Sequence, residues 1–208
     1  MYSILIYFNV LQCKAIQNLN LVNLKTKQLY KILCTKKFKK TRSIQKLQTI
    51  YDLGDYELQT AFNLPRYCLS ENQIKDFQYK ILHSILPTNR LLFQMSRINS
   101  DRCTFCALEN ETVEHLFFEC MVTKNFWFSL CNELGVIVLH IDKRIAVLGT
   151  DLTREDKDQH IFKNRFLLYV RYFIWQSKCI NKPPSVEECI QWLKSKSKVI
   201  PELCCLFR

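Results

Sequence analysis

The sequence predicts a mostly α-helical fold: a small helical domain with a metal-binding knuckle set between helices. Three observations carry that reading. The 208 residues include only three glycines and five prolines, too few for Gly-rich phosphate loops or for a sandwich with many tight turns. Apolar residues make up 48% of the chain and aromatic residues 12%, enough for a sizeable core with aromatic layers. From Ser43 onward apolar residues recur at helical spacing, and one short stretch among them gathers Cys103, Cys106, His115 and Cys120.

Three regions follow from composition. Residues 1–42 read as an apolar start followed by a basic arm, loosely ordered when isolated. Residues 43–150 read as a helical region holding the knuckle at 100–120, and residues 151–208 as a C-terminal helical pair. The apolar start runs only to Leu11, whereas a membrane span needs roughly 20 apolar residues. It also lacks the basic beginning of a secretory signal. The expectation is an intracellular chain, cytoplasmic or nuclear, with no membrane association and reduced thiols.

The net charge of +11 favours polyanionic partners through phosphate contacts and counterion release. That charge is uneven. Nine basic residues lie from Lys25 to Lys46, among them Lys36, Lys37, Lys39, Lys40 and Arg42, with no acidic residue between them. Two readings stand: a nucleic-acid-binding arm or localisation signal, and a solvated linker.

The helices can be placed in order. Ser70 with Gln73 fits a capping box, followed by Ile74, Phe77, Ile81 and Ile85 on one face. Pro87 stops that helix. Thr88 caps the next, with Leu91, Leu92 and Met95 as a second core stripe. On the first helix Lys75 and Lys80 lie off the stripe, read as a solvated face first and as contacts to a phosphate backbone second. After the knuckle, Val122, Phe126, Trp127 and Leu130 share one side of a helix that Gly135 ends. Val136–Leu139 reads as a short extended connector. Thr153 with Asp156 caps a long helix to about Lys178, buried through Phe162, Phe166, Val170 and Phe173, with Arg165, Arg171 and Lys178 outside the stripe. Pro183 and Pro184 break the chain. Ser185 with Glu188 forms a further capping box before the face Val186, Cys189, Ile190 and Leu193. Cys131, Cys179 and Cys189 read as small buried hydrophobes. The vicinal pair Cys204 and Cys205 has no evident role.

The chemistry sits in C-x2-C-x8-H-x4-C. Three thiolates and one imidazole make a complete tetrahedral set for one Zn²⁺. Four protein ligands leave no open position, so the site is structural: it folds a segment and hydrolyses nothing. A disulfide reading is weak, because eleven cysteines is an odd number. Arg102 and the polar run Glu109–Thr112 suit an exposed knuckle, with Phe105 as an exposed aromatic. His115 and Cys120 are five residues apart, roughly 140° of rotation on a continuous α-helix, so they do not share a face. A short helix from Thr112 must therefore end or bend near Glu119.

The residues around the ligands carry a family resemblance. They run Phe77–His83, then Leu86-Pro87-Thr88-Asn89-Arg90-Leu91-Leu92, the Cys103/Cys106 pair, Glu111-Thr112-Val113-Glu114-His115-Leu116-Phe117-Phe118-Glu119-Cys120, and Phe126-Trp127. This order resembles the zinc-binding region at the C-terminal end of non-LTR (LINE-type) retrotransposon reverse transcriptases, well over about residues 70 to 130 and only in helical character elsewhere. The resemblance implies that Cys103, Cys106, His115 and Cys120 are the zinc ligands. It also implies that the region follows a polymerase domain in a polyprotein and binds nucleic acid, RNA foremost. Arg102 and Phe105 on the knuckle then join the basic arm as candidate contacts, the aromatic stacking on an unpaired base.

Catalytic constellations do not assemble. The Tyr-x-Asp-Asp turn of reverse transcriptases does not occur, and Asp52 and Asp55 are explained by turn chemistry around Gly54. A zinc deaminase needs His-x-Glu before its Cys-x-x-Cys, and the order here is reversed. No catalytic residue is assigned. The expected role is a zinc-stapled RNA- or single-strand-binding module without polymerase activity. The alternatives are a helical protein-interaction module and a retrotransposon remnant without function.

Overall fold

The computed structural model describes residues 42–135 and 157–196, with side chains over 44–135 and 161–196. Among these the architecture is helical. It comprises α1 (Arg42–Tyr51), α2 (Asp55–Cys68), α3 (Asn72–Leu82), α4 (Asn89–Gln94), a π-helical turn (His115–Glu119), α5 (Met121–Leu134), α6 (Lys157–Cys179) and α7 (Val186–Ser195). No strand occurs among the described residues. One isolated antiparallel bridge joins Arg102 to Asn110. Residues 1–41, with the basic arm up to Lys40, and Val136–Leu139, Thr153, Asp156 and Cys204–Cys205 lie outside the described residues, while Arg42 and Lys46 of the basic run fall in α1.

Helix α6 is the axis of the core. It packs against α2, α3 and α7, while α5 packs against the π-turn and α7. The six consecutive residues Phe166 to Arg171 are all buried, so the helix is covered all round, as a helix in a core must be. The single stripe expected from the sequence is therefore too narrow, and Phe162 at its start is only half-buried. Two of the cations placed outside that stripe lie inside. Arg171, 1% exposed, donates from Nη2 to Gln78 Oε1 at 2.9 Å and from Nε to the Leu167 carbonyl at 3.3 Å. Burial pushes Arg171 down to about 9, so it stays cationic at neutral pH. Lys178 is also buried and belongs to the metal knuckle's support. Arg165 is half-buried and donates to the Cys68 carbonyl at 2.7 Å.

Aromatic contacts join the layers. Phe77 on α3 meets Phe117 of the π-turn edge-on at 5.8 Å and Tyr172 of α6 at 5.4 Å. Phe126 of α5 stacks on Phe173 at 6.2 Å. Trp192 of α7 lies 5.8 Å from Phe173. Such pairs add to the area they bury.

Several local expectations are corrected. The Ser70–Gln73 box does not form. Helix α3 begins at Asn72 with Glu71 as its cap residue, and the Glu71 carboxylate instead takes Lys196 Nζ at 3.0 Å. Ile85 is exposed, because α3 ends at Leu82 and the chain turns through Ser84 at φ +54°; Leu86 is buried in its place. Ser185 caps α7 without a side-chain bond, and Glu188 pairs with Lys182. The tight turn near Gly54 falls on Asp52, at φ +49°, while Gly54 is extended. Cys189 is buried and Cys131 half-buried, but Cys179 is exposed. Gly135 closes α5 at φ +59°, as the sequence indicates.

Phe77→Ala should cost about 3–5 kcal/mol, because it empties the junction of α3, the π-turn and α6. A shift in denaturant midpoint without a change in slope checks this; an unchanged midpoint would refute the packing role.

Candidate metal centre

Two short turns build the site. On the second, Thr112 Oγ1 accepts from the His115 amide at 2.9 Å and starts the helical turn. The chain then widens to a π-turn whose closing bond runs from the Cys120 amide to the His115 carbonyl, 2.8 Å. An i→i+5 bond takes up the fifth residue of the spacing. Both ligands thus reach one point although an α-helix would separate them. The bend expected near Glu119 is this turn. Cys120 is also the cap residue of α5, and Trp127 Nε1 donates back to the Phe117 carbonyl at 2.9 Å.

The first turn holds Cys103 and Cys106. The Cys103 amide donates to the Glu109 carbonyl at 2.8 Å, and the Ala107 amide to the Cys103 carbonyl at 2.9 Å. Ala107 takes φ +57° to turn the chain. The Phe105 amide lies 3.4 Å from Cys103 Sγ, a donor that favours the thiolate.

The four donor atoms converge. Cys103 Sγ, Cys106 Sγ, His115 and Cys120 Sγ lie within 4.8 Å of one another. Zinc with Zn–S of about 2.3 Å and Zn–N of about 2.0–2.1 Å requires tetrahedral edges of about 3.8 Å for S···S and about 3.5 Å for S···N. Cys103 Sγ and Cys120 Sγ are 3.9 Å apart, and Cys106 Sγ and His115 Nε2 are 3.4 Å apart. The set fits one zinc ion.

The electrostatics agree. The hydrogen bond from Cys103, with the amides of Thr123 and Val122 at the start of α5, holds the Cys120 thiol below its ordinary value against the effect of burial. The same bond, with burial, pushes Cys103 up. A thiol held down in this way suits a metal ligand, since a coordinating thiol is deprotonated outright. His115 Nδ1 is buried without a hydrogen-bond partner. The Glu109 carboxylate lies 3.3 Å from it, off hydrogen-bond geometry. Nε2 coordination would fix the proton on Nδ1 and give Glu109 its acceptor role.

Glu111 departs from what the sequence indicates. Glu111, placed in an exposed polar run, is 0% exposed. Its Oε1 accepts from the Asn89 amide at 2.8 Å. Its Oε2 accepts from the Thr104 amide at 2.8 Å and the Thr104 hydroxyl at 2.6 Å. Lys178 Nζ lies 3.5 Å from Oε1 and donates to the Pro87 carbonyl at 3.2 Å. One carboxylate thereby ties the knuckle to the start of α4 and to α6. A polar loop in the sequence gave no sign of this; the signal was Glu111's place in the Glu-Thr-x-x-His segment.

Lys36, Lys37, Lys39 and Lys40 lie outside the described residues, and Arg42 begins α1. Arg102 is exposed, with one guanidinium nitrogen donating to the Leu108 carbonyl. Phe105, expected to be exposed, is half-buried and packs on the core: the Cys103–Ala107 turn folds its ring inward. Leu108, 74% exposed, occupies the tip instead.

Purified chain should carry one zinc ion. Structural zinc contributes on the order of 10 kcal/mol to such segments. Cys106→Ser or His115→Ala should therefore abolish stoichiometric zinc by elemental analysis and remove amide protection over 100–130, while part of α6 and α7 stays protected. Retained protection in metal-free protein would refute this. Glu111→Ala should cost about 3–5 kcal/mol, because Lys178 is left buried without its carboxylate; thermal melting of the zinc-loaded protein measures it.

Comparison with known proteins agrees with this geometry. No curated protein and no solved structure matches the chain. A family match covers less than a third of the chain and contains all four ligands, α3, α4 and the π-turn. That segment, residues 68–127, matches the family described as zinc-binding in reverse transcriptase.

Proposed function

We propose that the chain is a zinc-stapled module that binds single-stranded nucleic acid, RNA foremost, as the C-terminal part of a LINE-type reverse transcriptase or of a protein derived from one. The observation that carries the reading is the coincidence of the family match at 68–127 with a Cys3His cluster of tetrahedral dimensions. The net charge of +11 supports a polyanionic partner. The family matched is a zinc-binding one and not a polymerase domain, and the four-ligand set offers no position for a substrate. The proposed role is therefore binding without catalysis. The remaining part of a polyprotein, its polymerase, is the proposed protein partner, in an intracellular setting. Among the described residues no helix is long and apolar enough to cross a membrane.

The basic arm with Lys36, Lys37, Lys39, Lys40 and Arg42 supplies phosphate contacts, with Arg102 and the exposed part of Phe105 at the knuckle. If about five phosphates are neutralised, log K should fall against log salt with a slope of roughly −3 to −4 for a single strand. Deleting residues 1–42 should flatten that slope. Anisotropy titrations of labelled RNA at several salt concentrations measure both. No affinity at low salt would refute the reading; salt-insensitive capture of a protein partner would favour an interaction module.

A further inference from the structure

Helix α4 is anomalous for a core element. It carries Leu91, Leu92 and Phe93, and Met95 follows as its cap, yet none of its residues is buried. Phe93 is 46% exposed and Met95 57%. The second core stripe expected from the sequence is thus absent. Six residues do not make a stable helix by themselves. Polar contacts hold this one: Thr88 Oγ1 accepts from the Leu91 amide at 3.4 Å, Glu111 takes the Asn89 amide, and the Arg90 amide donates to the Glu111 carbonyl at 3.3 Å. A buried carboxylate thus fixes a helix whose Leu91 and Leu92 are half-buried while Phe93, with Met95 after it, faces outward.

The charge around α4 has one sign along the chain. Residues 89–100 contain Arg90 and Arg97 and no acidic residue. Both arginines are exposed, and the turn after α4 is closed by the Arg97 amide on the Leu92 carbonyl at 2.9 Å. Arg90 and Phe93, three residues apart, are neighbours on the helix surface. Arg90 also lines an open groove of about 780 Å³, whose α1 wall carries Lys46, the last cation of the basic run. The groove holds two acids. Glu114 accepts from the Tyr51 hydroxyl at 3.0 Å, and Asp52 sits at the turn that ends α1.

We propose that α4 and the groove beside it form the strand-binding surface of the module, with Arg90, Arg97 and Lys46 on phosphates of a single-stranded RNA and Phe93 stacking on one base. The inference rests on the nucleic-acid reading above and assigns its contacts. Exposed arginines beside an exposed ring match a chain of phosphates and π-faces; residues 89–100 add no acid, so the acids a phosphate meets here are the groove's Asp52 and Glu114, the second of which is engaged by Tyr51. Unlike Phe105, Phe93 can be truncated without opening the core.

The test uses the full zinc-loaded chain, a labelled oligouridine and anisotropy at several salt concentrations. Far-UV circular dichroism and zinc content of each variant serve as fold controls. Phe93→Ala should weaken binding roughly 5- to 150-fold without altering the salt slope, and Phe93→Trp should restore it. The double variant Arg90→Ala/Arg97→Ala should reduce the slope by about 1.4. Wild-type affinity that survives all these changes would overturn this surface and leave the nucleic-acid reading standing. An unchanged slope with weakened binding would overturn the phosphate role of the arginines. No wild-type affinity at low salt would overturn both readings.

Discussion

The Glu111 carboxylate is the point on which the arrangement depends. Its two oxygens take the amide that begins α4, both donors of Thr104 between the first two metal ligands, and the ammonium of Lys178 on α6. A buried charge pair carries a desolvation cost, repaid only when geometry and further hydrogen bonds satisfy both ions. Here every partner belongs to a different part of the chain. The knuckle, a loop with no strand or long helix of its own, gains its fixed position from that repayment. Zinc closes the loop on itself, while Glu111 closes it onto the domain.

The ligand set and most helices were legible in the sequence, because both signals are local. C-x2-C-x8-H-x4-C reports ligand chemistry directly, and the stripe Ile74, Phe77, Ile81 reports a buried face. The bend between His115 and Cys120 followed from arithmetic on the α-helix. What was not legible depends on contacts distant in the chain. Arg171 looks like a solvated cation until Gln78, ninety-three residues away, is brought against it. Glu71 looks like an ordinary helix-start acid until Lys196 claims it. Leu91, Leu92 and Met95 have the spacing of a core stripe, but spacing does not say whether a neighbour arrives to cover it.

Two cations of the central helix are not available at the surface. Arg171 and Lys178 on α6 are buried and engaged with protein acceptors. Net charge alone therefore overstates what is available to a partner. The cations left on the outside of the knuckle side, Arg90, Arg97 and Arg102, are fewer but are set on a segment whose backbone is tied to the metal loop.

The π-turn has a further consequence for how the sequence can change. Its closing bond counts residues: five steps from His115 to Cys120 match one wide turn. Removing one residue would restore the α register and rotate Cys120 by about 100°, away from the other three ligands. Adding one would leave no regular turn to close. Because Cys120 also sets where α5 begins, the slip would be passed to Phe126 and Trp127 in the core. Substitutions within Leu116–Glu119 change packing by degrees, but the length of that segment admits no variation.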